Sequence, residues 1–279
     1  MWRLPMELLL SDNPAIGFIG FGHMGAAIGQ AIHQKHPSNL LFVVESNTDR
    51  QAWISDHCPF VTLVDYERLF SECNLVFLAI KPQQIGELST QIKPFLNAEH
   101  TLISMLAGVP LEASLALFLP ANIVRIMPNT PVKLSKGVTG IYFSPRTDVR
   151  EKDVILNLCE SFGRTLPLDN EDHLNVITAL SGSGPAFFYR MVEACVSFGV
   201  SSGLDKKMAL EAVIHTMIGA GHMLLEDPDP TEQNKRVTSP NGTTQAGLGV
   251  MDQQDFDTLI ESVLTGAYDR AIELSKETI

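Results

Sequence analysis

Ile16-Gly17-Phe18-Ile19-Gly20-Phe21-Gly22-His23-Met24-Gly25 decides the fold. A short apolar run from Ala15 to Ile19 stops at Gly20-x-Gly22-x-x-Gly25. It passes directly into Ala26-Ala27-Ile28-Gly29-Gln30-Ala31-Ile32, which has helical composition. Strand, glycine turn and helix in that order form the context that a dinucleotide-binding loop requires. In such a loop Gly20 permits the tight turn, Gly22 admits a pyrophosphate to the backbone, and Gly25 lets the helix pack closely on its strand. Phosphates would sit on the free N–H groups at the helix N-terminus. The plainer alternative is a glycine-rich turn that binds nothing, and the flanking strand and helix weigh against it.

Working outward, Leu40 to Val44 reads as a second buried parallel strand. It ends in Glu45-Ser46-Asn47-Thr48-Asp49-Arg50, where folds of this kind contact the adenosine ribose. An acid there selects a free 2′-hydroxyl, and small polar groups with an arginine accept a 2′-phosphate. Both signals are present: Glu45 suits NAD(H), while Ser46, Asn47 and Arg50 suit NADP(H). The reading favours NADP(H), with NAD(H) as the alternative. Further apolar strands are expected at 75–80, 101–106, 122–127, 138–143 and 164–168, with a helix over 147–163. Lys81-Pro82 follows the first of these, at the strand end where ligands bind in open α/β sheets.

Past residue 170 no strand pattern remains. The segment Leu174 to Phe198 is apolar and helix-length but contains Ser181-Gly182-Ser183-Gly184-Pro185, which a neighbouring backbone or a ligand would have to compensate. Asp205 can cap a helix to about Glu226, and a last helix is expected over 252–276. The fold class is therefore α/β, an N-terminal doubly wound Rossmann domain over 15–170 with a C-terminal all-helical domain over 171–279, preceded by an extension at 1–14. The apolar content of the helical part predicts a homo-oligomer interface, most simply an isologous dimer.

Composition narrows the function. The formal net charge of −12 argues against a nucleic-acid partner. No apolar run was found to approach the length of a membrane span, and Leu8-Leu9-Leu10 is too short for a signal sequence. Four scattered cysteines suit reduced thiols in the cytoplasm, and His33/His36 and His215/His222 lack partners at metal-ligand spacing, so no metal is expected.

Six stretches together resemble the pyrroline-5-carboxylate reductase family. They are the loop at 17–24, Leu78-Ala79-Ile80-Lys81-Pro82, Ser104 to Gly108, Arg125-Ile126-Met127-Pro128-Asn129-Thr130-Pro131, Leu180 to Ala186, and Val237-Thr238-Ser239-Pro240-Asn241-Gly242-Thr243-Thr244. The last two are the specific ones. The resemblance implies NAD(P)H-dependent reduction of 1-pyrroline-5-carboxylate to L-proline and a helical domain that forms a homodimer, with a decamer built as a pentamer of dimers. It also implies cofactor contacts from Ile19, Gly20, Phe21, Gly22, His23, Met24 and Gly25, from Ser46 and Asn47, from Ala79, Lys81 and Pro82, and from Ala107 and Asn129. Ser239, Asn241, Gly242, Thr243 and Thr244 would hold the substrate, with the Thr244 hydroxyl facing the ring nitrogen as the catalytic group. Two departures stand out: Asn241 replaces the more usual glycine, and Tyr66 stands where many relatives have asparagine near the ribose. A β-hydroxyacid dehydrogenase would need a lysine four residues after Gly184, and Phe188 occupies that place. A reductase of another cyclic imine and a silent nucleotide binder are the other readings, the latter opposed by Thr243, Thr244 and Lys81.

Overall fold

The computed structural model describes residues 14–277, so the N-terminal extension lies, apart from Pro14, outside the described residues. The chain forms two compact units, one of residues up to Gly182 together with Ala267 onward, the other Ser183–Gly266. The expected division at 170 thus differs from the observed one by a short helical segment, and the end of the last helix returns to the first unit.

The first unit is built on one eight-stranded sheet. In chain order the strands are β1 (Ile16–Ile19), β2 (Leu41–Val44), β3 (Val61–Leu63), β4 (Leu75–Leu78), β5 (Thr101–Ser104), β6 (Asn122–Pro128), β7 (Gly137–Phe143) and β8 (Gly163–Pro167). Their spatial order is β3-β2-β1-β4-β5-β6-β7-β8. The first six run parallel; β7 is antiparallel to β6 and β8 follows β7 in parallel. The order reverses between β1 and β4, which opens a crevice at their carboxyl ends. Helices α1 (His23–Lys35), α2 (Thr48–His57), α3 (Tyr66–Glu72), α4 (Ile85–Ile92), α5 (Leu111–Phe118), α6 (Val149–Cys159) and α7 (His173–Ile177) flank the sheet.

Alternation along the strands divides the core in two. Phe18, Val43, Phe77, Ile103 and Val124 pack with Ile28 and Ile32 of α1 on one face, and Phe18 stacks on Phe77 at 4.8 Å. Ile19, Phe42, Val76, Leu78 and Leu102 pack with Leu69, Leu88 and Leu111 on the other. All-apolar strand sequences follow from this two-sided burial. Only β3 was not anticipated; three residues are too few to display a period.

The second unit is helical: α8 (Gly184–Ser201), α9 (Lys206–Glu226), α10 (Pro230–Val237), α11 (Thr243–Gln253) and α12 (Phe256–Glu277), the last running on into the first unit. Asp205 caps α9, its carboxylate accepting from the N–H groups of Lys207 and Met208. The expected helix over 174–198 is instead broken. α7 passes into a π-helical turn at Thr178–Gly182, and α8 restarts with Pro185 in its first turn, where a missing N–H costs nothing. Within this chain a Cβ on Gly184 would meet nothing within 4 Å and one on Gly182 would touch only Thr178, so the helix break at Ser183 accommodates Pro185 without close packing of a neighbouring segment. The estimate of apolar length also needs correction: α9 is long and apolar enough, by length and composition alone, to cross a membrane, its four charged residues, Lys206, Lys207, Glu211 and Glu226, falling in its first two turns and at its end.

One polar cluster lies at the amino ends of β5 and β6. Glu151 of α6 accepts hydrogen bonds from the Thr101 hydroxyl and from Asn122 Nδ2, the latter at 3.5 Å, and Asn122 also donates to Thr147. Burial pushes the Glu151 carboxyl up, outweighing the lowering effect of those bonds; nearby Asp148 adds to the rise. A carboxyl raised in the folded state binds its proton more tightly there than in the unfolded chain. Its contribution to stability is therefore fully present below the ordinary carboxylate range and declines as pH rises through the raised value. The variant E151Q should match the wild type near pH 4 and exceed it near pH 7 by about 2 °C or more in Tm. A difference in Tm that does not vary with pH would disprove this account.

Candidate active site

The glycine turn after β1 is shaped by three close approaches. Gly20 has φ +80°, and a Cβ there would lie 2.8 Å from Ala79 O. A Cβ on Gly25 would lie 3.0 Å from Gly20 O and 3.2 Å from Ala79 Cβ, so α1 can sit against the ends of β1 and β4 only without one. The Phe21 ring is buried and packs on Gly29, whose Cβ would stand 2.8 Å from it. Gly22 differs: a Cβ there meets nothing within 4 Å, and no side chain caps the α1 N-terminus that it begins. The loop therefore presents free N–H groups beside open space, which is the arrangement a phosphate fits.

A cleft of about 490 Å³ opens at the reversal point. Its lining includes Ile19, Gly20, Gly22, His23 and Met24 of the loop, Glu45 and Ser46 after β2, Tyr66, Ala79 and Lys81 after β4, and Gln84, Glu87 and Gln91. Of the residues expected at the cofactor, Phe21, Gly25, Asn47, Pro82, Ala107 and Asn129 are not on this lining. Gly25 and the Phe21 ring shape the loop from behind. The Asn47 side chain caps α2 by accepting from Arg50 N at 2.8 Å. Pro82 begins a short 3₁₀ turn in which Lys81 N donates to Gln84 Oε1 at 3.0 Å. Asn129 is buried with both ends of its amide in use: Nδ2 donates to Ser181 O at 3.0 Å and Oδ1 accepts from Val138 N at 2.8 Å. It braces the backbone around β7.

Ala107 sits in the turn after β5, whose shape depends on Gly108 and on the distant Glu171. Gly108 has φ +76°, and a Cβ there would meet Leu274 O, at the end of α12, at 2.7 Å. Beyond the turn, Leu111 N donates to Glu171 Oε1 at 2.6 Å, and the same carboxylate pairs with the buried Arg125 of β6. Glu171 is 60 residues from Leu111 in the chain, so no local pattern could announce the contact.

Glu45 and Arg50 both bond to the backbone of the glycine loop. Glu45 Oε2 accepts from Phe21 N at 2.8 Å and Oε1 from Asn47 N at 3.0 Å. Arg50 donates from Nε to Phe21 O at 2.6 Å and from a terminal nitrogen to Gly22 O at 3.1 Å, with its plane 3.7 Å over the Trp53 ring. Burial raises the Tyr66 phenol, and the nearby Glu87 and Glu45 carboxylates raise it further. That end of the cleft is acidic.

The substrate-loop residues lie in the second unit. Ser239 O accepts from Gly242 N at 3.0 Å, and a Cβ on Gly242 would overlap Ser239 Oγ. Asn241 has φ +57°, the left-handed region that asparagine tolerates better than most residues. Its N–H donates to Gln245 Oε1 at 2.7 Å. Gly242 leads into α11 without a side-chain cap, and Thr243 and Thr244 form the first turn. Among the described residues neither threonine hydroxyl is hydrogen-bonded.

A doubly wound sheet with a capless glycine loop at its reversal point, followed by a helical unit, defines a dinucleotide-dependent oxidoreductase. Residues 15–108 match the model described as NADP oxidoreductase, coenzyme F420-dependent, and residues 171–274 match the pyrroline-5-carboxylate reductase dimerisation model. The pyrroline-5-carboxylate reductase of Pseudomonas aeruginosa is 32% identical over 270 residues, covering 95% of this chain and 98% of that protein. That of Staphylococcus aureus is 35% identical over 263 residues, covering 92% and 97%. The structure of a pyrroline-5-carboxylate reductase from Coxiella burnetii superposes with a TM-score of 0.86 at 30% identity, covering 93% of this chain and 98% of that one. The chain belongs to the pyrroline-5-carboxylate reductase family. α9 falls wholly within the segment matched by the dimerisation model, which accounts for its apolar length without a bilayer.

The contrast between two glycines gives a test. Gly20→Ala should cost about 2 kcal/mol or more in stability, because it adds a left-handed alanine to a backbone clash. Gly22→Ala should fold within about 0.5 kcal/mol of the wild type, yet bind NADPH at least about tenfold more weakly, since its methyl group enters the phosphate space. Calorimetric binding and denaturant unfolding on both variants decide it. Unimpaired NADPH binding by G22A would remove the loop as the phosphate site.

Proposed function

We propose that this chain reduces the C=N bond of 1-pyrroline-5-carboxylate to give L-proline, the final step of proline biosynthesis, with NADPH as reductant and NADH as the alternative. The observation that carries the reading is the Ser239–Thr244 loop, with two unpaired threonine hydroxyls at an uncapped helix N-terminus in a chain of this family.

The chemistry asks little of the protein beyond placement. When bound, the nicotinamide supplies a hydride. A cyclic imine accepts it readily at carbon once its nitrogen carries a proton, and that proton remains on the product amine. The N–H groups of the first turn of α11 suit the substrate carboxylate, an anion at a helix N-terminus. The Thr244 hydroxyl, free of internal partners, is placed to orient the ring nitrogen or to donate to it. The left-handed Asn241 keeps the loop in its tight turn, and Ser239 closes that turn. In the first unit, Gly20, Gly22, His23 and Met24 would hold the pyrophosphate, and Ala79, Lys81 and the Ala107 turn would hold the nicotinamide half. Holding the two reactants in register supplies most of the acceleration in a reaction of this kind.

A homodimer formed by the helical unit, further assembled as a pentamer of dimers, is the oligomer this reading expects; the exposed apolar side chains of α8 and α9 support the first step. A cytoplasmic site of action agrees with buried, free Cys58, Cys73 and Cys159.

Purified protein given 1-pyrroline-5-carboxylate should oxidise NADPH rapidly. Thr244→Ala should lower kcat by roughly 100-fold while leaving NADPH affinity within about twofold, and Thr244→Ser should recover much of the rate. Wild-type turnover in T244A would take Thr244 out of the mechanism. Absence of turnover in protein that binds NADPH would point to another cyclic imine.

A further inference from the structure

The glycine loop is gripped from the β2–α2 junction by two residues of opposite charge, and the grip bears on the form of the dinucleotide. Arg50, at the same β2–α2 junction, is not on the cleft lining, and two of its nitrogens already donate to the loop. Nε and a terminal nitrogen are committed to Phe21 O and Gly22 O, and its face is covered by Trp53. Glu45, by contrast, lines the cleft. Its two oxygens accept from Phe21 N and Asn47 N, which fixes the carboxylate beside the loop and leaves lone pairs for a further donor. The Asn47 side chain is spent on the α2 cap, so of the three groups suited to a phosphate only the exposed Ser46 lines the cleft uncommitted. The lining adds a second carboxylate, Glu87, against Lys81 as its lysine.

A ribose 2′-hydroxyl donates one hydrogen bond and carries no charge, and a fixed carboxylate accepts it well. A 2′-phosphate brings up to two negative charges and no donor. Beside Glu45 it meets like charge, and swinging the Arg50 side chain round to answer it gives up bonds to two loop carbonyls and the Trp53 face.

We propose that Glu45 is a specificity-determining residue that accepts the ribose 2′-hydroxyl of NADH and opposes the 2′-phosphate of NADPH, while Arg50 clamps the glycine loop and serves both dinucleotides alike. This rests on the dinucleotide reading above but not on the identity of the imine. The wild-type protein accordingly takes NADH as well as NADPH, and loss of the Glu45 charge moves the preference toward NADPH.

Dissociation constants for NADPH and NADH, measured by titration calorimetry without imine on the wild type, Glu45→Gln and Arg50→Gln, test it. Glu45→Gln keeps an oxygen that can accept from Phe21 N. It should tighten NADPH about tenfold and weaken NADH, so that the ratio of the two constants shifts at least about tenfold. Arg50→Gln should weaken both by a similar factor. An unchanged ratio in E45Q, or a selective loss of NADPH binding in R50Q, overturns the proposal; the second result would make Arg50 the phosphate ligand. Glu45→Ser guards against misfolding of the first variant: with a thermal unfolding transition like that of the wild type, it should shift the ratio in the same direction, and failure to do so also overturns it. Failure of the wild type to bind either dinucleotide would overturn the cofactor reading itself, whereas normal binding with no pyrroline turnover would leave the Glu45 result standing.

Discussion

Everything in the first unit depends on how closely the Gly20 peptide lies to Ala79. β1 is the central strand of a parallel sheet, with β2 on one side and β4 on the other, and each neighbour hands a hydrogen bond across at its end. Gly20 N donates to Val44 O at 2.8 Å and Ala79 N to Ile19 O at 2.8 Å. To leave the sheet at once and start a helix, the chain must turn at Gly20 with φ +80° where Ala79 O blocks any side chain. That turn aims the α1 N-terminus at the crevice, and the crevice exists because strand order reverses between β1 and β4. A glycine requirement that looks local is therefore set by three strands. Gly29 extends it one turn further, making room for the Phe21 ring that seals the loop from below.

The parts legible in the sequence are those governed by short-range chemistry. Strands buried on both faces announce themselves as apolar runs, as at Leu41–Val44 and Leu75–Leu78, and Asp205 and Asn47 act as the caps that their side chains suggest. Burial over the sheet needed no long pattern because each strand is only a few residues long. What stayed hidden was set by tertiary partners. The break at Ser183 is a case in point: composition shows that glycines and a proline disturb a helix, but only the neighbourhood reveals whether packing or a fresh start relieves them. Within this chain nothing packs on Gly184, and α8 begins again with Pro185 in its first turn.

The same distinction runs through the site. The loop glycines and the left-handed Asn241 could be read directly, since backbone conformation restricts residue type wherever a Cβ must be absent or φ positive. Side-chain roles could not, because one residue type serves several ends. Arg50 has the charge for a phosphate and uses it on two carbonyls. Asn129 has the groups for a nucleotide and uses both in bracing Val138 and Ser181. The Arg125–Glu171 pair, which steadies the turn after β5 through Leu111 N, joins residues 46 apart and has no signature short of the folded chain.

The helical unit raises a separate question of stability. α9 has 21 residues, of which Ala209 is the buried one, and Leu225, Phe198 and Tyr189 are 81%, 73% and 64% exposed. Most helical stability in proteins comes from packing an apolar face. Where α8 and α9 do meet, the fit is close: a Cβ on Gly199 would stand 2.9 Å from Ala209 Cβ. That contact leaves the larger apolar side chains uncovered, each of which would contribute roughly 1.5–3 kcal/mol on full burial. Surfaces of this extent are interface, and membership of a family with a dimerisation segment at 171–274 names the occupant as a second copy. Folding of α9 and association are then one thermodynamic event. Its stability belongs to the dimer and rises with protein concentration, whereas the sheet of the first unit, whose two cores are filled by its own helices, carries its stability within one chain.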